Sequence, residues 1–294
     1  MPLVPLSPLL IEPLVRQALL EDLGRAGDVT TDAIAPVSQQ VRCVMGARQD
    51  GVVAGLDLAA LAFGLTDPQI RFTPALADGA RVTPGATVAT IDGPARGVLT
   101  AERTALNFLS RLSGIASATA RLSASVAHTK ARIVCTRKTT PLLRTVEKYA
   151  VRAGGGANHR FGLDDAALIK DNHVAIAGSV AEAVLRVRSH VGHLVKIEVE
   201  VDTLAQLEEA LAAGAEAILL DNMALDDLRR GVEMIGGRAI SEASGRVTPE
   251  TAPGIAETGV DLISVGWLTH SAPILDIGLD YADQFPRHRA GRIG

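Results

Sequence analysis

The chain has 294 residues, of which 47% are apolar and 21% charged, enough to bury a sizeable core in more than one domain. A net charge of −4 and an aromatic content of 3% argue against a nucleic-acid partner, which needs basic patches and stacking rings. No apolar run is long enough to span a bilayer, and the proline-broken stretch MPLVPLSPLLIEPLVRQ lacks a basic leader, so the expectation is a cytoplasmic protein with no membrane partner.

Residues 8–22 have helical periodicity after Ser7, with Pro8 in the first turn. LGRAGDVTTDAI, residues 23–34, reads as a loop. Residues 41–54 alternate as strands do, and 56–64 read as a helix. Residues 78–99, DGARVTPGATVATIDGPARGVL, hold short β runs between Pro-Gly and Asp-Gly turns. They have the look of a biotinyl- or lipoyl-carrier sandwich, but no lysine is available for a prosthetic group. A long Ala-rich helix covers 101–126, so the N-terminal third is α+β. Cys43 and Cys135 lie far apart without a metal-binding spacing and read as buried free thiols.

Beyond residue 131 the pattern changes. Apolar runs in ARIVCT, ALIKD, VKIEVEV, AILLDN, AISEAS and LISVG are separated mostly by helical patterns at 179–190, 203–213, 225–235 and 250–258. This predicts six parallel strands in a sheet or barrel, with an extra strand near 156–162 and fewer than the eight of a full barrel. From about His270 the rhythm stops, and the remaining chain is expected to pack back on the first domain. Polar residues at strand C-terminal ends should converge at one mouth. They are Thr136, Arg137 and Lys138; Lys170, Asp171 and Asn172; Glu198 and Glu200; Asp221 and Asn222; Glu242 and Ser244; and Gly266.

Residues 137–170 hold seven Lys or Arg against three acids, which points to a small anionic ligand. Arg144, Lys148 and Arg152 fit a solvated helix face, whereas Arg137 and Lys170 end apolar strands. Glu200 and Asp221 end consecutive strands. Such a pair suits Mg²⁺ or ribose hydroxyls, with a salt bridge to Lys138 or Lys170 as the alternative. Gly154–Gly156, in AGGGANHR, could cradle phosphate. The better phosphate site is at the last two strand ends, in EASGRV and SVGWLTHSAP. The three glycines then end a helix over 142–152 and open a positive-φ path that turns His159 and Arg160 toward Arg137.

Several stretches carry a family resemblance: EDLGRAGDVTTDAI, TAERTALNFLSRLSGIA, TRKTTPLLRTVEKYAVRAGGGANHRFGLDDAALIKDNH, IEVEVDTLAQLEEAL, ILLDN, EASG and DLISVGWLTHSAPILDIGLD. Together they resemble the quinolinate phosphoribosyltransferases nearly end to end. The resemblance implies an α+β open-sandwich N-terminal domain over 1–113 and an incomplete, seven-stranded α/β barrel with the active site over 114–268. A segment at 269–294 would return to the first domain. It further implies a homodimer or larger homo-oligomer that joins quinolinate to phosphoribosyl pyrophosphate with Mg²⁺. The products are nicotinate mononucleotide, pyrophosphate and CO2, on the de novo route to NAD.

By the same resemblance, Arg137, His159, Arg160 and Lys170 bind quinolinate, and Arg103 comes from the neighbouring subunit. Lys138 lies between the substrates, with Thr136 beside it. Glu200 and Asp221 serve the ribose and the metal, directly or through substrate and water. Ser244, Gly245 and Gly266 hold the 5′-phosphate, with His270 close by. Arg246 departs from the small or neutral residue expected after EASG, which leaves its contact open. Lys138, Glu200 and Asp221 are the expected catalytic residues. Two rivals share the architecture: a molybdenum-linked homologue with another acceptor, and a Schiff-base aldolase using Lys170. The intact TRKTTP and GGGANHR favour the quinolinate enzyme.

Overall fold

A computed structural model describes residues 3–282. In chain order the first elements are α1 (Pro8–Leu23), α2 (Val29–Ile34), β1 (Gln40–Ala47), β2 (Gly51–Val52), α3 (Leu56–Thr66), β3 (Arg71–Pro74), β4 (Arg81–Val82), β5 (Thr87–Pro94) and α4 (Ala95–Ser125). Then come β6 (Arg132–Val134), α5 (Arg144–Ala153), β7 (Ala167–Ile169), α6 (Asp171–Ala177), α7 (Val180–His190), β8 (Ile197–Val201), α8 (Leu204–Ala212) and β9 (Ala217–Asp221). The series closes with α9 (Leu225–Ile235), β10 (Ile240–Ser244), α10 (Ala252–Ala256), β11 (Leu262–Ser264), α11 (Trp267–His270) and β12 (Ile277–Tyr281). These elements fall into two compact units. Among the described residues, one holds 3–118, Thr145–Gly155 and 272–282; the other holds Thr119–Arg144 and Gly156–Ser271.

The first unit carries a four-stranded antiparallel sheet in the order β12-β1-β5-β3. In α1, Ile11, Val15 and Leu19 are buried at four-residue intervals, the spacing that makes one helical face apolar. The stretch expected as a loop at 23–34 contains α2. The Asp28 side chain accepts the Thr31 N–H at 2.9 Å and starts this helix. The chain after Ala272 returns as β12, paired antiparallel with β1 from Cys43 opposite Tyr281 to Ala47 opposite Ile277. The expected C-terminal segment extends to residue 294, and 283–294 lie outside the described residues. Lys148, expected on a solvated face, is fully buried in this unit beside buried Glu147, whereas Arg152 is exposed and Arg144 half-buried. Glu147 is paired with Arg111 at 2.9 Å, so α5 buries charge where its sequence suggested solvent.

The second unit is built on a six-stranded parallel sheet in the order β6-β11-β10-β9-β8-β7. The strand expected over 156–162 is reduced to one parallel bridge, Ala157 to Val134. Ala157 exchanges backbone bonds with Ile133 and Cys135 at 2.8 and 3.2 Å. Side chains claim the backbone groups that follow. The Arg160 N–H goes to His159 Nδ1 at 2.8 Å, and those of Phe161 and Gly162 go to the Asp165 carboxylate at 2.7 and 2.9 Å. A ladder needs those donors, so the strand cannot continue.

Candidate active site

Side chains alternate across a strand, and five strands of the parallel sheet put a residue pair two apart on the same side. The pairs are Leu168 and Lys170, Glu198 and Glu200, Leu219 and Asp221, Glu242 and Ser244, and Ser264 and Gly266. Residues on the other parity, such as Val199, Ile218, Leu220 and Ile263, are fully buried. The polar layer surrounds a two-lobed cavity at the strands' C-terminal ends, with lobes of about 260 and 410 Å³. Thr136, Lys138, Lys170, Glu200, Ser244 and Ser264 border both lobes.

Arg137, His159, Arg160 and Glu242 are found only in the smaller lobe, with Leu168 and Leu219 supplying apolar walls. The Nε atoms of Arg137 and Arg160 are buried without a hydrogen-bond partner. Burial and the neighbouring Arg137 charge both lower the Arg160 pKa from its usual value. The two buried Nε donors are costly unpaired, and two neighbouring guanidinium charges suit an anionic ligand. Lys170 is half exposed and bonds Glu200 Oε2 at 2.6 Å, so the salt bridge held open as an alternative does form for Glu200. The Lys170 N–H donates to His173 Nδ1 at 2.9 Å, which fixes the lysine where α6 begins.

The larger lobe is bounded by bent backbone. Gly245 has φ +112°, and a Cβ there would collide with the Asn222 carboxamide. Asn222 and Arg246 also have positive φ, at +52° and +42°, and Asn222 N–H donates to Ser244 O at 2.9 Å. A Cβ on Gly266 would lie 3.0 Å from Lys138 Cδ and 3.5 Å from both His270 Nε2 and Thr136 Oγ1. These four residues therefore meet. Lys138 is held by its backbone: its carbonyl accepts from Thr269 Oγ1 at 2.7 Å, and its N–H donates to Thr136 Oγ1 at 3.0 Å. Arg246 is exposed and borders this lobe. Asp221 accepts from Asn222 Nδ2 at 2.6 Å. Glu200 and Asp221 offer hard carboxylate oxygens at this mouth, a donor set that suits Mg²⁺ shared with phosphates and water.

Beneath this layer, His159 Nε2 lies 2.9 Å from Glu198 Oε2 and 3.6 Å from Glu242 Oε1. The Arg160 N–H points at His159 Nδ1, so Nδ1 accepts and the ring proton sits on Nε2. Nε2 then donates to Glu198. Glu242, 1% exposed, keeps Oε1 buried with no hydrogen-bond partner. Burial first, and then the Glu198 charge, push its pKa up to about 7; His159 and a hydrogen bond with Ser264 act the other way. Ligand atoms of His159, Glu198 and Glu242 are within 4.8 Å of one another. A metal at this triad would need an unprotonated Nε2, and the proton moved to Nδ1 would face the Arg160 N–H. The triad is better suited to holding protons than a cation.

The structure thus brings together Thr136, Arg137, Lys138, His159, Arg160 and Lys170 with Glu200, Asp221, Ser244, Gly245, Arg246, Gly266 and His270. His159 and Arg160 share a cavity with Arg137, as the sequence led us to expect. Of the three glycines, only Gly155 takes a positive φ, +85°, and α5 ends at Ala153 beside it. Arg103 is exposed on α4 in the first unit and is not among the residues bordering the cavity. Sequence reasoning put Glu198 and Glu242 on the rim but gave them no role in the site. Their parity with Glu200 and Ser244 is the signal that puts them under the cavity.

Comparison with known proteins accounts for both parts of the chain. The quinolinate phosphoribosyl transferase N-terminal domain matches residues 28–113, and the C-terminal domain of the same family matches residues 115–280. A nicotinate-nucleotide pyrophosphorylase (carboxylating) of Mycobacterium leprae (strain TN) is 47% identical over 273 residues, covering 90% of this chain and 95% of that protein. A probable nicotinate-nucleotide pyrophosphorylase (carboxylating) of Bacillus subtilis (strain 168) is 43% identical over 270 residues, covering 92% and 93%. The crystal structure of NadC from Streptococcus pyogenes superimposes with a TM-score of 0.91 at 42% identity, over 95% of this chain and 100% of that one.

Proposed function

The chain belongs to the quinolinate phosphoribosyl transferase family, and from that premise we propose how its two-lobed cavity works. The enzyme transfers the phosphoribosyl group of phosphoribosyl pyrophosphate to quinolinate with decarboxylation. It yields nicotinate mononucleotide, pyrophosphate and CO2 for de novo NAD synthesis.

Quinolinate occupies the smaller lobe. Its adjacent carboxylates pair with the guanidinium groups of Arg137 and Arg160, with Lys170 adding charge. Leu168 and Leu219 border the flat ring. The phosphoribosyl donor occupies the larger lobe. Its 5′-phosphate rests against the backbone of Ser244, Gly245 and Gly266, near His270 and within reach of Arg246. Glu200 and Asp221 orient the ribose hydroxyls and would hold Mg²⁺, directly or through substrate and water. The ion supplies charge neutralisation for the pyrophosphate leaving group.

Lys138 borders both lobes. Its ammonium would face the bond that breaks at C1′, where positive charge grows on the sugar and negative charge on the leaving oxygen. Once the ring nitrogen bears ribose it is cationic. Loss of CO2 then leaves an electron pair on C2 beside that positive charge, so the first step activates the second.

Three finer points belong to the same reading. The six parallel strands and the Ala157 bridge support an incomplete α/β barrel. The working form is a homodimer or larger homo-oligomer in which the neighbour supplies Arg103, a role its exposure on α4 permits. The location is cytoplasmic, in line with two buried free cysteines; no helix among the described residues is long and apolar enough to cross a membrane.

The observation that carries the reading is the pair of arginines bordering one lobe beside a lysine, Lys138, shared by both lobes. The test is an assay of purified protein with quinolinate, phosphoribosyl pyrophosphate and Mg²⁺. Release of CO2 with nicotinate mononucleotide is expected. Turnover of nicotinate in place of quinolinate would refute the substrate assignment.

A further inference from the structure

The decarboxylation described above has an unmet demand. Breaking the bond between C2 and its carboxylate leaves the electron pair on C2, and a proton must arrive there to complete nicotinate mononucleotide. We propose that Glu242 is the acid that delivers this proton: its carboxyl O–H bond breaks as the C2–H bond forms, leaving Glu242 a carboxylate that is reprotonated from solvent. The proposal rests on the substrate reading above.

Geometry singles out Glu242. It borders the smaller lobe together with Arg137, His159 and Arg160, yet is 1% exposed, and its Oε1 has no hydrogen-bond partner. A buried carboxylate oxygen left bare of donors is expensive, and a neutral carboxyl group in the same place costs much less. A pocket for a dianion is also a poor place for two ionised acids. Glu198 takes the single Nε2 proton of His159 at 2.9 Å, leaving Glu242 beyond hydrogen-bond distance at 3.6 Å. With His159 neutral, no imidazolium charge faces Glu242 to favour its ionisation, so Glu242 keeps its own proton while Nε2 keeps the one shared with Glu198. The raised pKa of about 7 agrees with that assignment, and an acid titrating near working pH is suited to donation.

Other candidates are less suited. The His159 imidazole is held neutral by the Arg160 N–H and is a weak acid in that form. Lys170 is committed to Glu200 at 2.6 Å. Lys138 is the competitor, because it also borders this lobe. Arg137, Arg160, Lys138 and Lys170 border the same lobe as cations and Glu200 as an anion, while the charges acting directly on Glu242 are those of Glu198 and His159. A bound dianion offsets the cations and keeps Glu242 protonated.

The experiment is Glu242→Gln, which keeps the shape and a donor but has no acidic proton. The kcat for nicotinate mononucleotide formation should fall about 100-fold, with the KM for quinolinate within about threefold of wild type. Wild-type kcat should decline as pH rises and the acid ionises. Glu242→Gln should lose that decline, and Glu242→Asp should retain it and recover part of the rate. Near-wild-type kcat in Glu242→Gln, or an unchanged alkaline decline, overturns the proposal and points to Lys138. If Glu242→Gln does not fold, the wild type decides: a kcat that is flat from about pH 6 to about pH 9 overturns it. A wild type that releases no CO2 from quinolinate refutes the substrate reading instead, before any variant is compared.

Discussion

In the smaller lobe of the cavity, side chains are poised to recognise an anion: Arg137, Arg160 and Lys170 on or beside strand ends, with two guanidinium Nε atoms buried and unsatisfied. In the larger lobe the backbone takes that part, bent through positive φ at Asn222, Gly245 and Arg246 and bordered by Gly266. The contrast matches the chemistry of the proposed ligands. A planar pair of carboxylates fits rigid guanidinium forks. A phosphate offers oxygens in several directions and fits a concave run of N–H groups. The lobes should therefore fail differently when damaged, and Lys138, which borders both, should fail in a third way.

The largest effect is expected at that shared residue. Lys138→Ala should lower kcat about 100- to 1000-fold, because the charge acts where the leaving group becomes negative. KM for each substrate should stay within about threefold, read by steady-state kinetics with both substrates varied. A binding loss in one lobe with kcat unchanged would make Lys138 a resident of that lobe alone. Next is Arg137→Ala, which removes a charged, bidentate donor from the smaller lobe. Quinolinate KM should rise about 30- to 100-fold, a loss of about 2–3 kcal/mol, while KM for phosphoribosyl pyrophosphate holds. Arg137→Lys should recover only part of that affinity, since charge returns without the fork. Equal rises in both KM values would mean the lobes are not separate recognition sites.

The same contrast explains what could be read in advance. Two cations of the smaller lobe follow apolar strand runs directly, Arg137 after RIVCT and Lys170 after ALI, so the period-two pattern and the strand ends locate them. What escaped depends on register between strands distant in sequence. Glu198, Glu242 and His159 come from β8, β10 and the Ala157 bridge, and their contact exists only once those strands are aligned. The strand expected near 156–162 is held to a single bridge for a local reason: His159 and Asp165 take backbone donors that a longer ladder would use. Lys148 misled because a helical face rich in charge resembles a solvated one, yet this lysine is fully buried. In the larger lobe, EASG and SVG pointed to the proposed phosphate site, but the fit of Gly245 against Asn222 could not be seen in either stretch alone.

That fit supplies the smallest and most selective effect. Gly245→Ala adds one methyl group at φ +112°, where it meets the Asn222 side chain and lies 3.0 Å from its Cα. Two costs arise, one from the backbone conformation and one from the collision, together about 1–3 kcal/mol. The backbone must shift to relieve them, which moves the N–H groups proposed for phosphate. KM for phosphoribosyl pyrophosphate should rise roughly tenfold, with quinolinate affinity unchanged when measured by titration without the donor. Adding Asn222→Gly removes the side-chain collision but leaves the strain of the non-glycine φ. The double variant should therefore recover part of the loss and not all of it. Full recovery would assign the whole effect to crowding, and no recovery would assign it to the glycine's backbone freedom alone. Either result would show which physical feature shapes the larger lobe. A loss of quinolinate affinity in Gly245→Ala would break the division between the lobes.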